Sequence, residues 1–308
     1  LQGDTLWIGA LNGLYTYQLQ NRKLSPLGTK RNGLPHNTIY SIIRTGDNQI
    51  YVGTYNGLCR YIASNGKFEK IPLPVNSSQS NLFVNSLLED TGRQCIWIGT
   101  EGYLFQYFPS TGQMKQTEAF HNNSIKSLAL DGNGYLLAGT DNGLYVYHND
   151  VTPLQHIIHD SRNIQSLTNN IIWNIFADQE HNIWLGTDYG ISLSRYNSAL
   201  QFIPISQITG TGDGNQFYSL FRDSKGFYWF GGTNGLIRFT DPAGDKHNAI
   251  WYRMGDKTYP LSHNRIRHIY EDKEQQLWIA TDGSINRYDY ATRQFVHYNI
   301  VDLSLIHI

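Results

Sequence analysis

Cysteine is nearly absent from this chain: Cys59 and Cys95 are the only two in 308 residues. No Cys-x-x-Cys or Cys/His spacing surrounds either one, so a disulfide framework or a zinc site is excluded as the organising device. Both sit in apolar phrases and are expected to be buried free thiols, with a disulfide between them left open. Charge is scarce as well, at 16% of residues, with 24 basic against 25 acidic side chains and a formal net charge of −1. A general affinity for nucleic acid or an anionic membrane needs a basic excess spread over one face, and none exists here. No apolar run approaches the roughly 20 residues needed to cross a bilayer. The chain shows no secretory leader pattern and begins at Leu1 without a Met, which leads us to expect a piece of a longer protein. Catalytic phrases are missing too: no Gly-rich strand–helix loop, no His-Glu-x-x-His and no Gly-x-Ser-x-Gly.

What is plentiful is glycine and aromatic residues, with 29 Gly, 21 Tyr and 7 Trp, a composition suited to tight turns and pleated surfaces. These residues recur in order. Ile50-Tyr51-Val52-Gly53-Thr54 leads to Gly57-Leu58 and Tyr61, and Ile183-Trp184-Leu185-Gly186-Thr187 leads to Gly190-Ile191 and Tyr196. The phrase occurs seven times, its marker at Gly9, Gly53, Gly99, Gly139, Gly186, Gly231 and Ala280. Spacings of 44, 46, 40, 47, 45 and 49 residues match a unit of four short strands, the blade of a β-propeller. One repeat cannot bury its own apolar face, so a ring of repeats is the expected solution. The expected fold is therefore all-β, a seven-bladed β-propeller of four-stranded antiparallel blades over residues 1–298. Because the chain opens at a second strand, residues 299–308 are expected to close the ring by completing the first blade. Within that tail, 303–308 back-translates to the opening of a common sequencing-library adapter and is read as adapter read-through; a native apolar strand is the alternative.

The columns of the aligned first strands separate packing from variation. Ile39 and Ile42 correspond to Val84 and Leu87, Ile125 and Leu128, Ile172 and Ile175, Phe217 and Leu220, and Ile266 and Ile269, all apolar and expected to pack blade on blade. The column of Ser41, Ser86, Ser127, Asn174 and Ser219 is small, as the crowded centre of a ring would require. Two columns vary: Tyr40, Asn85, Lys126, Trp173, Tyr218 and Arg267 in one, Thr38, Phe83, Ser124, Ile171, Gln216 and Arg265 in the other. The candidate ligand-binding residues are Tyr40, Lys126, Trp173, Tyr218, Arg265 and Arg267, expected at the channel mouth. Rings stack on the C–H face of a sugar and polar groups take its hydroxyls; a water-filled channel with ordinary variation is the alternative. The two columns hold cations and no carboxylates, so an anionic oligosaccharide, uronic or sulfated, is the expected ligand.

Asp90, Asp131, Asp178, Asp223 and Asp272 recur at one repeat position and read as turn caps. His156 and His159 read as a solvated pair, since a metal site needs three or four convergent ligands. Gly212-Asp213-Gly214 is too short for a calcium loop. No metal, cofactor or catalytic residue is assigned.

With the phrases Trp-Ile-Gly-Thr, Gly-Leu and Tyr, preceded by Leu34-Pro35-His36-Asn37-Thr38-Ile39 and again by Leu261-Ser262-His263-Asn264-Arg265-Ile266, the chain resembles the regulator-propeller repeats of periplasmic sensors in Bacteroidetes hybrid two-component systems. The resemblance runs to about residue 298. It departs at Thr100-Glu101-Gly102, where a turn glycine shifts by one, at the longer step from Gly190 to Tyr196, and at the doubled Gly231-Gly232. The resemblance implies a non-enzymatic periplasmic sensor fragment that recognises a glycan-derived oligosaccharide and relays the signal to a histidine kinase. It also implies a second propeller and downstream signalling modules in the same chain, a homodimer, and a membrane contact only through segments outside these residues. Binding at an inter-propeller or dimer surface stays open. Two alternatives remain: a propeller enzyme of polysaccharide- or lactone-lyase type, built on Arg265, Arg267, His268 and Tyr218, or a protein-binding scaffold that uses its rim turns.

Overall fold

The computed structural model describes residues 5–21, 23–28, 32–74, 82–116, 123–148, 152–196, 202–204, 215–240, 249–258 and 260–298. Every strand or helix element among them is a β-strand. In the second repeat, Ile39–Arg44, Ile50–Thr54, Gly57–Ile62 and Lys67–Ile71 pair antiparallel in sequence order. Five more sheets have the same four-stranded meander. The first sheet has three strands, Thr5–Ala10, Gly13–Gln18 and Lys23–Gly28. Seven such sheets make the chain a seven-bladed β-propeller. The closing strand expected from residues 299–308 lies outside the described residues, as do the loop at 212–214 and the suspect hexapeptide.

The described residues divide into two compact units, one comprising those up to Leu130 with Val146–Leu154, the other comprising Asp131–Tyr145 and those from Gln155 onward. In each, the core lies between neighbouring sheets, where the apolar first-strand columns were expected. In the first unit Leu14, Leu34, Ile39, Ile50 and Val52 are buried together, and so are Leu58, Val84, Leu87, Ile96 and Phe105. In the second, Trp184, Phe217, Leu220 and Phe230 form one cluster, and Trp229, Ile266, Ile269 and Leu277 the next. Cys59 and Cys95 are buried and unbridged, and burial pushes the Cys59 thiol up to about 12.

The marker glycine has a packing cause. A Cβ on Gly99 would stand 2.6 Å from Ile125 Cγ2, one on Gly139 2.6 Å from Ile172 Cγ2, and one on Gly231 2.4 Å from Ile266 Cγ2. In each case the contact is with the first strand of the following sheet, so the close approach leaves no room for a side chain. The turn glycines differ in kind: Gly57 and Gly143 sit at φ +97 and +94, in the left-handed region that a Cβ disfavours.

The small polar column does more than fit a narrow space. Ser86 Oγ accepts the Leu128 amide at 3.1 Å, Asn174 Oδ1 accepts the Leu220 amide at 3.2 Å, and Ser219 Oγ accepts the Ile269 amide at 3.0 Å. Each bond fastens one sheet to the next.

Candidate functional site

The variable column begins at a backbone irregularity. In the second sheet Ile39 pairs with Thr54 and Ser41 with Gly53, so Tyr40 has no ladder partner. The same skip falls on Asn85, Trp173, Tyr218 and Arg267 in four other sheets. Each is the extra residue of a β-bulge, which breaks the pleat and re-aims a side chain away from the packed face. This explains why neighbouring columns are held constant while this one varies.

The structure places Tyr40 and Lys126 in the first unit and Trp173, Tyr218, Arg265 and Arg267 in the second. Tyr40 is 43% exposed, and its ring stands 6.0 Å from that of Phe83. Phe83 in turn meets Tyr55 at 4.2 Å, and Tyr55 meets His36 at 4.8 Å. Lys126 is half-buried beside the buried Ile125. In the second unit the candidates touch in series. Trp173 and Tyr218 meet edge to face at 5.1 Å, and the Arg267 guanidinium lies 5.8 Å from the Tyr218 ring centre.

Carboxylates complete this group, contrary to the expectation of a cationic face. Asp282 binds Arg267 through both oxygens, at 2.5 Å to Nε and 3.2 Å to Nη2, and lies 3.8 Å from Arg265 Nη1. The Arg267 guanidinium holds the Asp282 carboxyl below the ordinary carboxylate range, with burial opposing and Arg265 adding to the effect. Asp188 Oδ1 accepts Trp173 Nε1 at 2.9 Å and Gln216 Nε2 at 2.6 Å, and the Tyr218 hydroxyl donates to Gln216 Oε1. Burial raises the Tyr218 pKa.

Sequence reasoning missed Asp188 and Asp282 because it searched only the first strands. Both follow the Gly-Thr or Ala-Thr end of the second strand, in a column that reads Leu11, Tyr55, Glu101, Asp141, Asp188, Thr233 and Asp282. The amide of Asp188 bonds to Ile171 O and that of Asp282 to Arg265 O, which brings this column beside the first-strand start. Four acids in seven turns was a readable pattern. Of the residues named for the lyase-type alternative, Arg267 and Arg265 both face Asp282, at 2.5 and 3.8 Å.

Elsewhere four histidines have backbone partners nearby in the chain. His156 Nε2 lies 2.6 Å from Asn142 O and His159 Nδ1 2.5 Å from Leu167 O. His36 Nδ1 and His263 Nδ1 each accept the amide two residues on, at 3.0 Å, as Asn169 Oδ1 does at 2.8 Å. The two histidines of the Leu-x-His-Asn phrase are thus turn formers.

Comparison with known proteins agrees with the repeat. The profile of the two-component regulator propeller family matches residues 33–56, 166–189, 211–234 and 260–283. A solved extracellular domain from B. thetaiotaomicron, described as that of a hybrid two-component system, is 93% identical over 97% of this chain and 40% of its own, with a TM-score of 0.62. A histidine kinase of Formosa agariphila is 26% identical over 87% of this chain and 20% of its own length. The chain thus spans two-fifths of the first and one-fifth of the second. Virginiamycin B lyase from Staphylococcus aureus is 13% identical with a TM-score of 0.65, covering 85% of this chain and 84% of its own, a likeness of fold alone. The chain carries repeats of the two-component regulator propeller family.

Proposed function

We propose that this chain is part of the periplasmic sensor region of a hybrid two-component system, and that it binds an oligosaccharide through its bulge residues without transforming it. The observation that carries the reading is the recurrent bulge. Five sheets release the same first-strand residue from the ladder, and in the second unit three such residues, Trp173, Tyr218 and Arg267, form one continuous surface with Arg265 alongside. Aromatic rings beside preset hydrogen-bonding groups suit a polyhydroxylated ligand. Tyr40 and Lys126 stand at the same column of the first unit and are the candidates there. The likeness to an extracellular domain of a hybrid two-component system and to a histidine kinase supports the signalling context. Relay to a kinase, a second propeller and a homodimer belong to the same proposal. A ligand signals only if it binds one arrangement of the subunits more tightly than another.

The test is an oligosaccharide array followed by calorimetry. Trp173→Ala should lower affinity about tenfold or more, the range expected for a lost aromatic contact of about 1.5–3 kcal/mol. Unchanged affinity in Trp173→Ala and Tyr218→Ala together would move the site elsewhere. Mass spectrometry of incubated oligosaccharides should return them intact, and cleavage products would establish an enzyme instead.

A further inference from the structure

Four charged side chains border the Trp173–Tyr218 pair, and their charges cancel. Arg265 and Arg267 are matched by Asp282 and Asp188. Arg267 is held in two bonds by Asp282, and Arg265 lies 3.8 Å from the same carboxylate. An anionic sugar that approached Arg267 would meet the charge of Asp282 at once, and would have to displace it to gain a two-point grip.

Asp188 is arranged differently. Its Oδ1 takes both local donors, Trp173 Nε1 at 2.9 Å and Gln216 Nε2 at 2.6 Å. Its Oδ2 accepts no hydrogen bond among the described residues. Two donors on one oxygen fix the orientation of the group and leave the other oxygen as an acceptor. A hydroxyl donating to a carboxylate oxygen makes one of the stronger hydrogen bonds available to an uncharged ligand. Gln216 is itself fixed, because the Tyr218 hydroxyl donates to its Oε1. The polar groups around the rings therefore need no rearrangement to receive a hydroxyl, which keeps the cost of binding low.

We propose that this site takes an uncharged sugar residue, with Asp188 accepting one of its hydroxyls, and discriminates against uronic and sulfated sugars. The proposal rests on the reading of Trp173 and Tyr218 as a glycan surface and adds the class of glycan. An anionic residue would bring a third negative charge beside two carboxylates that are already balanced.

The experiment is calorimetry on the 308-residue chain with size-matched pairs of neutral and uronic or sulfated oligosaccharides, repeated between about 50 and 500 mM salt. The neutral member of each pair should bind more tightly, and its affinity should change less than about twofold across that range. Asp188→Asn, checked for an unchanged thermal midpoint, should weaken binding about tenfold or more, as expected for a lost bond to a charged group. Tighter, salt-sensitive binding of the anionic member, still abolished by Trp173→Ala, would overturn the neutral-sugar proposal and leave the glycan surface standing. Binding indifferent to both Trp173→Ala and Asp188→Asn, or no binding at all, would overturn both. The comparison of neutral with charged ligands needs no variant, so it decides the matter even if Asp188→Asn does not fold.

Discussion

The recurrent aspartate divides its two oxygens between two tasks. In Asp223, Oδ1 accepts the amides of Lys225 and Phe227, while Oδ2 accepts Trp229 Nε1 at 2.7 Å and the Tyr290 hydroxyl at 2.7 Å. Asp90, Asp178 and Asp272 hold the indoles of Trp97, Trp184 and Trp278 in the same way, at 3.0, 2.8 and 2.8 Å. Asp131 has Leu137 in place of the tryptophan and, among the described residues, its side chain makes the turn bonds alone. Asp223→Ala should therefore cost about 3 kcal/mol or more by orphaning buried donors, and Asp131→Ala about 1 kcal/mol. Urea unfolding of the two variants checks the difference. The cap was legible in the sequence, because turn chemistry is local. The indole bond was not read, although the spacing of six or seven residues from Asp to Trp repeats four times. Asp90 adds a pH dependence. Burial raises its pKa, but the Trp97 indole and the Arg93 amide and guanidinium outweigh burial, and the net shift is downward. A carboxylate lower in the folded state than in the unfolded chain contributes stability above the ordinary carboxylate pKa, and that contribution is lost as pH falls through the lowered value. Asp90→Asn should accordingly be less stable at neutral pH and lose less stability on acidification, as denaturant midpoints between about pH 2 and 7 would show.

At the scale of the strand, one residue type has two meanings along the same repeat. The turn glycine answers a backbone need, and the marker glycine answers the approach of the next sheet. Gly231→Ala would drive a methyl to 2.4 Å from Ile266 Cγ2 and should cost about 1–3 kcal/mol, the range for overpacking. Ile266→Ala removes Cγ2 and should therefore cost less in the Gly231→Ala background than alone, and chemical denaturation of the single and double variants would show simple additivity if the glycine were required for another reason. Ala280 is the seventh marker and carries a methyl, so the requirement is set by the neighbouring sheet and not by the strand itself. The bulge in the first strand is also an element-scale feature. Sequence showed which column varies, and pairing showed that the column varies because it leaves the ladder.

At the scale of the molecule, the three-stranded first sheet stands apart. Thr5–Ala10 is the counterpart of the second strands elsewhere but has no first strand beside it among the described residues. Trp7 Nε1 is buried there and has no hydrogen-bond partner among the described residues, while four equivalent indoles donate to an aspartate. Hydrogen exchange on the 308-residue chain should show Thr5–Ala10 opening before Ile50–Thr54, because local stability follows pairing and contact density. Equal protection of the two strands would refute this. Trp7→Phe should be close to neutral where Trp184→Phe costs about 1–3 kcal/mol, since only the second change removes a hydrogen bond to a buried carboxylate.

The period of the chain, its strand phrases, its turn residues and the apolar columns are properties of short segments, and sequence alone determined them. They specify seven sheets, because alternation, turn chemistry and repeat length act over a few residues or a few tens of residues. The partners of Trp173, Tyr218 and Arg267 are another matter. Asp188 and Asp282 lie 15 residues beyond Trp173 and Arg267 respectively and reach them only because the second strand returns antiparallel to the first. Whether a variable column is a cationic face or a charge-balanced one depends on which turn the ladder brings beside it. That is a matter of register, and tertiary structure decided it.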